Sequence, residues 1–322
     1  MRRIWRIGVL LAGGALFVFA VERIGIGRLS AELHAMGAAL MVILALNAIR
    51  LRLQTQSWAL ALREDGVDAN IPELMFLRLA SQGIGYLTVL GAAASEPMKI
   101  KLLQHHRGSA TAATLVDTGT YWMSAGLVLI AGSISATFVF AQSRAASMVL
   151  AALVAAGLYF LSRPDRILNA AVSRLGTRSP KWLTKAAEIE HEIHRFAVAH
   201  PATIRRMFLL DLVCQALLLA EVAAALYFLH LPLQFGPVLS IEAAARAVRF
   251  LGGWMPARIG ADEGGAAAAF AALGYPAAGG LAFALARRFR DMTNSLVGLI
   301  WLAWRTTSNN PQPVTGAMQC KL

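Results

Sequence analysis

Long apolar runs, separated by short basic stretches or by clusters of glycine and proline, follow one another almost to the C-terminus. The runs Ile7–Val21, Ala38–Leu62, Thr114–Phe140, Ser147–Leu161, Met207–Leu229 and Ala278–Trp304 approach or reach the ~20 residues that cross a bilayer as a helix. Ser147–Leu161 is short, and this reading extends it upstream. The first run follows a basic MRRIWR, as in a signal peptide. The ERIGIGRLSAEL after it has no convincing small-residue cleavage site, so it reads as a retained span.

Two further stretches are apolar but interrupted. Leu74–Ala94 runs into Gly91, three alanines and Ser95-Glu96-Pro97, and Pro237–Tyr275 is broken from Gly252 to Gly264 by glycine, proline and charge. Such sequence ends helices, and a charged loop at membrane depth is tolerable only where protein or water shields its backbone. Both stretches read as re-entrant or broken helical hairpins. The predicted fold is thus an all-α integral membrane protein of about six full spans plus two hairpins.

The arrangement can be checked against the distribution of basic residues, because cytoplasmic loops hold the Lys and Arg excess. With the N-terminus inside, 18 basic residues fall on the cytoplasmic side and three, Arg23, Arg28 and Arg144, outside. Both termini are then cytoplasmic, the first hairpin dips in from the cytoplasm and the second from the opposite face. Entry from opposite faces by two similar elements is how inverted-repeat transporters are built, with the site near the midplane. The transmembrane domain covers residues 1–305, and 306–322 form a disordered tail. Within residues 162–206, Ile189, Ile193 and Phe196 fall at helical spacing opposite Lys185, Glu188 and Glu192, which reads either as a cytoplasmic interfacial helix or as a solvated connector.

Composition agrees: 57% of residues are hydrophobic and 15% charged, against roughly 25% charged in soluble chains. A net charge of +12 in a soluble protein would raise nucleic acid as a partner, but here most of it marks one membrane face, so none is expected. Two cysteines give no disulfide framework, and His191-Glu192-Ile193-His194 has one residue too few for a zinc HExxH, so no metal or cofactor is expected. The GxxxG of Gly260–Gly264 lies in a polar loop and argues only weakly for dimerisation.

Nine basic residues remain inside apolar or interrupted segments, and all are arginine: Arg50, Arg52, Arg78, Arg246, Arg249, Arg258, Arg287, Arg288 and Arg290. Each costs at least ~2.5 kcal/mol at a helix centre, so several together imply a shared wet cavity or specific partners. Snorkelling to the interface is the simpler reading for Arg50 and Arg52, and less so for Arg287, Arg288 and Arg290, which lie well inside the last run. Acids occur there too, among them Glu96, Asp117, Asp211, Glu221, Glu242, Asp262, Glu263 and Asp291. Some must neutralise arginines. Asp211 and Glu221 share one helix side, and Asp117 opens its own run and reads equally as its cap.

The interruptions also carry a resemblance. Leu90 to Leu103, with Ser95-Glu96-Pro97-Met98-Lys99, resembles the first signature of the flippase-like membrane family, usually PxxxGEPx[KR]. Met255 to Gly264 is similar to its second, PGG[IL]GxxE, and LGYPAAGGLAFALARRFRD resembles its closing segment. Glu96 and Glu263 stand at the matching positions, while Ser95, Ala257 and Arg258 replace expected glycines. This family is the transmembrane half of lysylphosphatidylglycerol synthases, and it also occurs alone in bacterial and archaeal proteins, some associated with hopanoid or glycan loci. The resemblance implies translocation of a lipid or lipid-linked precursor in the bacterial inner membrane rather than catalysis. Its partners would be membrane lipids and the lipid-linked substrate, together with a second copy or lipid-biosynthesis enzymes. The site residues expected to take an anionic or zwitterionic headgroup are Glu96, Lys99, Asp117, Arg246, Arg249, Arg258, Asp262, Glu263, Arg287 and Arg288. The alternatives are an intramembrane transferase of lipid- or polyprenyl-linked groups, and a non-catalytic membrane partner of a lipid-modifying pathway.

Overall fold

The computed structural model describes residues 26–67, 70–87, 92–103, 107–139, 144–161, 174, 180–252, 258 and 260–307. The expected span Ile7–Val21, the loop residues Met255, Pro256 and Ala257, most of 162–180 and the tail from 308 lie outside these. Among the described residues every regular element is a helix: α1 (Ile26–Glu64), α2 (Ile71–Leu87), α3 (Ala92–Leu102), α4 (Arg107–Val139), α5 (Arg144–Leu161), α6 (Lys181–Ala199), α7 (Pro201–Phe228), α8 (Phe235–Leu251), α9 (Ala261–Ala272) and α10 (Ala277–Thr307).

Among the described residues, three helices contain stretches long and apolar enough to cross a bilayer: Met36–Glu64 of α1, Thr111–Phe138 of α4 and all of α7. In α10, 31 residues long, the apolar pattern is broken by Arg287, Arg288, Arg290 and Asp291. Its faces explain how it remains part of a membrane protein. Phe289, Met292, Leu296, Ile300 and Trp304 recur every three to four residues on the outside, whereas Arg287, Arg290, Ser295 and Gly298 are buried. This is the reverse of a soluble amphipathic helix, and it suits a hydrocarbon solvent, where charge must find partners inside the protein.

α1 and α7 pack antiparallel along their length. Near one end Trp58 and Leu62 meet Met207, and near the other Met36 and Ile43 meet Val222, Leu226 and Phe270. The first limb of each hairpin crosses the long helix of the other half, α2 against α10 and α8 against α4, while the second limbs, α3 and α9, lie against α4 and α10 respectively. Both crossings are close enough to need glycine. A Cβ on Gly298 would stand 2.3 Å from the Leu79 carbonyl carbon, and one on Gly132 2.6 Å from the Leu239 oxygen. Small residues at such crossings let helix backbones approach in the absence of a hydrophobic drive between helices.

Two details depart from the sequence reading. α4 starts at Arg107, so Asp117 lies ten residues inside it and cannot be its cap. Ser95, Glu96 and Pro97 sit inside α3 rather than ending a helix; Pro97 is the sixth of its eleven residues, and the helix continues through it with one i→i−4 hydrogen bond forgone. α5 begins upstream of Ser147, at Arg144. α6 is helical as its spacing suggests and is docked, with Phe196 buried and Ile193 packed against the cluster of Trp58 and Met207.

Candidate functional site

The interior charges fall into two groups. In the first, Arg78 of α2 donates through Nη2 to Asp117 Oδ2 of α4 at 2.6 Å and to the Gln54 carbonyl of α1 at 3.0 Å. Both side chains are buried. Within α3, Lys99 Nζ donates to Glu96 Oε1 at 2.9 Å, and Glu96 Oε2 accepts from Thr118 Oγ1 at 2.8 Å. The Trp58 ring lies 5.5 Å from the Arg78 guanidinium and 5.8 Å from Lys99 Nζ, within the range of cation–π attraction.

Around the second hairpin the charges form a network. Glu242 of α8, fully buried, receives Arg287 Nη2 at 2.7 Å and Arg246 Nε at 3.0 Å, with Arg249 Nη2 farther away at 3.7 Å. Glu221 of α7 takes Arg287 at 3.3 Å and also Arg290. Arg290 in turn reaches Asp291 at 2.8 Å. Arg258 adopts a left-handed backbone conformation (φ 49°). Its guanidinium pairs with Asp262 at 3.0 Å and Asp291 at 3.6 Å. Glu263 accepts the Gly260 N–H at the start of α9 and pairs with Arg288 at 2.5 Å. A carboxylate there offsets the positive end of the helix dipole. No ion pair among the described residues includes Asp211, which is buried on α7 with Oδ2 unbonded.

Between the two groups lies a cavity of about 310 Å³, walled by α1, α2, α3, α4, α7, α8 and α10 together with Arg258. Its charged lining is strongly cationic: Arg50, Arg78, Lys99, Arg249, Arg258 and Arg290 against Glu96, Asp117 and Asp291. Tyr86, Tyr121 and Trp122 supply aromatic wall, and Trp122 is also half exposed on the outside of α4. The cavity therefore reaches the flank of the bundle at that residue. Asp117 is ten residues into a 33-residue helix and Arg290 thirteen into one of 31, so the cavity lies near mid-height.

Of the residues singled out in the sequence, Glu96, Lys99, Asp117, Arg249 and Arg258 line this cavity. Asp262, Arg287 and Arg288 border a smaller void of about 30 Å³ that shares Arg249, Arg290 and Asp291 with it. Arg246 and Glu263 line neither void and serve the ion pairs behind the wall. The structure adds Arg50, Arg78, Arg290, Asp291, Tyr86 and Asn294 to the wall. The arginines among them were visible as intramembrane charge. Tyr86 and Asn294 carried no signal.

A family model described as "Lysylphosphatidylglycerol synthase TM region" matches residues 5–298. No curated protein matches the chain, and no solved structure does.

Proposed function

The chain belongs to the lysylphosphatidylglycerol synthase transmembrane-region family, and from that premise we propose that it is a flippase that passes a lipid headgroup through the central cavity. The observation that carries this reading is a cationic cavity at mid-height in a bundle whose outer face is apolar. A polar headgroup needs such a path across hydrocarbon, and its tails need an opening to the side, which Trp122 marks.

The proposed frame has six full spans, with both termini on the cytoplasmic side of a bacterial inner membrane. Its support is a two-fold correspondence. α2 and α8 each have 17 residues, α3 and α9 have 11 and 12, and α4 and α10 have 33 and 31. The first limb of each hairpin lies against the long helix of the other half and the second limb against that of its own, and α1 meets its counterpart α7 antiparallel. This is the pattern expected of an inverted repeat, whose substrate site lies at the repeat interface.

Reconstitution into proteoliposomes with a fluorescent phospholipid tests the reading. The protein should expose inner-leaflet probe to a membrane-impermeant quencher faster than protein-free vesicles do. Arg258→Ala should lower that rate by roughly tenfold, the worth of about 1.4 kcal/mol, with unchanged elution on gel filtration. No movement above the protein-free rate overturns the proposal. Chemical conversion of the probe would instead favour a transferase.

A further inference from the structure

Among the six cations that line the cavity, four have a carboxylate oxygen at 3.0 Å or nearer: Arg78, Lys99, Arg258 and Arg290. Arg50 and Arg249 do not. Arg50 Nη2 donates to Asn47 Oδ1 at 2.6 Å and Nη1 to Gln54 Oε1 at 3.4 Å, both neutral, and its Nε is buried without a partner. No ion pair among the described residues includes it. Arg249 Nε donates to the Ala245 carbonyl at 3.3 Å, while its Nη2 is buried, unbonded and 3.7 Å from a Glu242 that already serves two other arginines. The neighbourhood thus leaves two guanidinium groups without a carboxylate of their own. One comes from α1 and the other from α8, on opposite halves of the bundle, and both face the same space.

We infer that Arg50 and Arg249 together bind a terminal phosphate carrying two negative charges, so that the headgroup accepted by the cavity is a lipid phosphomonoester. The inference rests on the reading of this cavity as a headgroup path. Its size decides between one ligand and two: about 310 Å³ is at the bottom of the ~300–1,000 Å³ range of ligand sites, room for one small headgroup. A guanidinium fork matches phosphate oxygens two at a time, and each arginine has spare donors. A phosphodiester brings one negative charge and leaves one arginine uncompensated in a low-dielectric interior. A zwitterion brings no net charge, and its ammonium would meet a mostly cationic wall. Free phosphate offers the same chemistry as the lipid headgroup and is separated from it by experiment.

The test is binding to the purified full-length protein in detergent, read by tryptophan fluorescence, with four probes: dioctanoyl phosphatidic acid, dioctanoyl phosphatidylglycerol, dioctanoyl phosphatidylcholine and inorganic phosphate. Phosphatidic acid should bind at least about tenfold more tightly than the other two lipids, the difference expected from one additional charge-assisted contact. In the doubly substituted Arg50→Gln/Arg249→Gln protein that preference should fall to within about twofold. Should the double variant elute as aggregate, Arg249→Gln alone provides the same reading, since its side chain is 28% exposed and has no ion pair closer than 3.7 Å. Equal binding of the three lipids by the parent, or a preference that survives the substitutions, overturns the inference. Inorganic phosphate binding as tightly as phosphatidic acid overturns the lipid assignment and leaves an ion site. The flippase reading fails separately: a phosphatidic acid preference without movement in proteoliposomes retains the site and removes transport, whereas indiscriminate lipid movement does the reverse.

Discussion

The two hairpins have similar lengths and lie symmetrically against the long helices, yet their charges are arranged differently. At the first, each cation has its own acid, Arg78 with Asp117 and Lys99 with Glu96, and both pairs form cavity wall. Glu96 remains 25% exposed. At the second, Glu242 and Glu263 have no exposed surface, and Glu242 is surrounded by three arginines. The difference separates display from support. A charge that faces space and has one partner is available to a ligand, whereas a carboxylate enclosed by several guanidinium groups holds helices together.

The largest expected effect comes from setting the two kinds of acid against each other. Glu242→Gln removes the anion shared by Arg246, Arg249 and Arg287, and stranding buried charge costs about 3–5 kcal/mol. Little monodisperse protein should be recovered. Glu96→Gln strands one cation, Lys99, at the cavity wall rather than three around one enclosed carboxylate, so the melting temperature should fall less while headgroup transport slows. Thermal melts of both variants in detergent measure the contrast. Equal losses of stability would break the distinction between a supporting and a displaying half.

A second contrast concerns how each hairpin meets its long helix. A methyl group on Gly298 would overlap backbone from both Leu79 and Ala80, at 2.3 and 2.4 Å, whereas on Gly132 it would meet the Ala243 methyl at 2.5 Å and the Leu239 carbonyl oxygen at 2.6 Å. Forced overpacking costs about 1–3 kcal/mol. Gly298→Ala should lie at the upper end and Gly132→Ala below it. Identical melting temperatures in the two variants would mean that the crossings are equally tight, and the correspondence between the halves closer than the contacts indicate.

Much of this was legible in the chain. Apolar runs located α1, α4, α5, α7 and α10, and the clusters of glycine and proline located both hairpins, because those residues interrupt helices for local steric reasons. Intramembrane charge pointed to residues that the fold gathers around one cavity and the smaller void beside it. Which charges face the cavity was not legible. Glu96 and Glu263 occupy matching signature positions, yet one is cavity wall and the other is enclosed by the Gly260 N–H and Arg288. Asp117 looked like a cap because the apolar run begins beside it, while the helix starts earlier through residues too polar for that run. Arg50 looked like a snorkelling residue. Asn47 and Gln54, one turn to either side, hold it inward instead. Such distinctions depend on contacts across more than two hundred positions, as with Asn47 and Asn294, and no local pattern encodes them.

The smallest effect concerns a charge of the first half for which the second shows no counterpart. Asp65, in the turn that ends α1, is half-buried with Oδ2 unbonded. Burial pushes its carboxyl above the ordinary value of 3.8, and the nearby charges of His200 and Arg195 only partly oppose this. The folded protein therefore holds that proton more tightly than the unfolded chain does. Stability from this residue is present at low pH and is lost as pH rises from the ordinary value through the raised one. Asp65→Asn removes a group that is uncomfortable when ionised, so at neutral pH the variant should melt slightly above the parent, with a shift smaller than either glycine substitution produces. Below the ordinary value the two should converge, because the parent's carboxyl is then protonated in the folded and the unfolded chain alike. A variant that melts below the parent at neutral pH would mean that attraction to His200 and Arg195 outweighs desolvation at this turn, and that the first half has its own supporting acid.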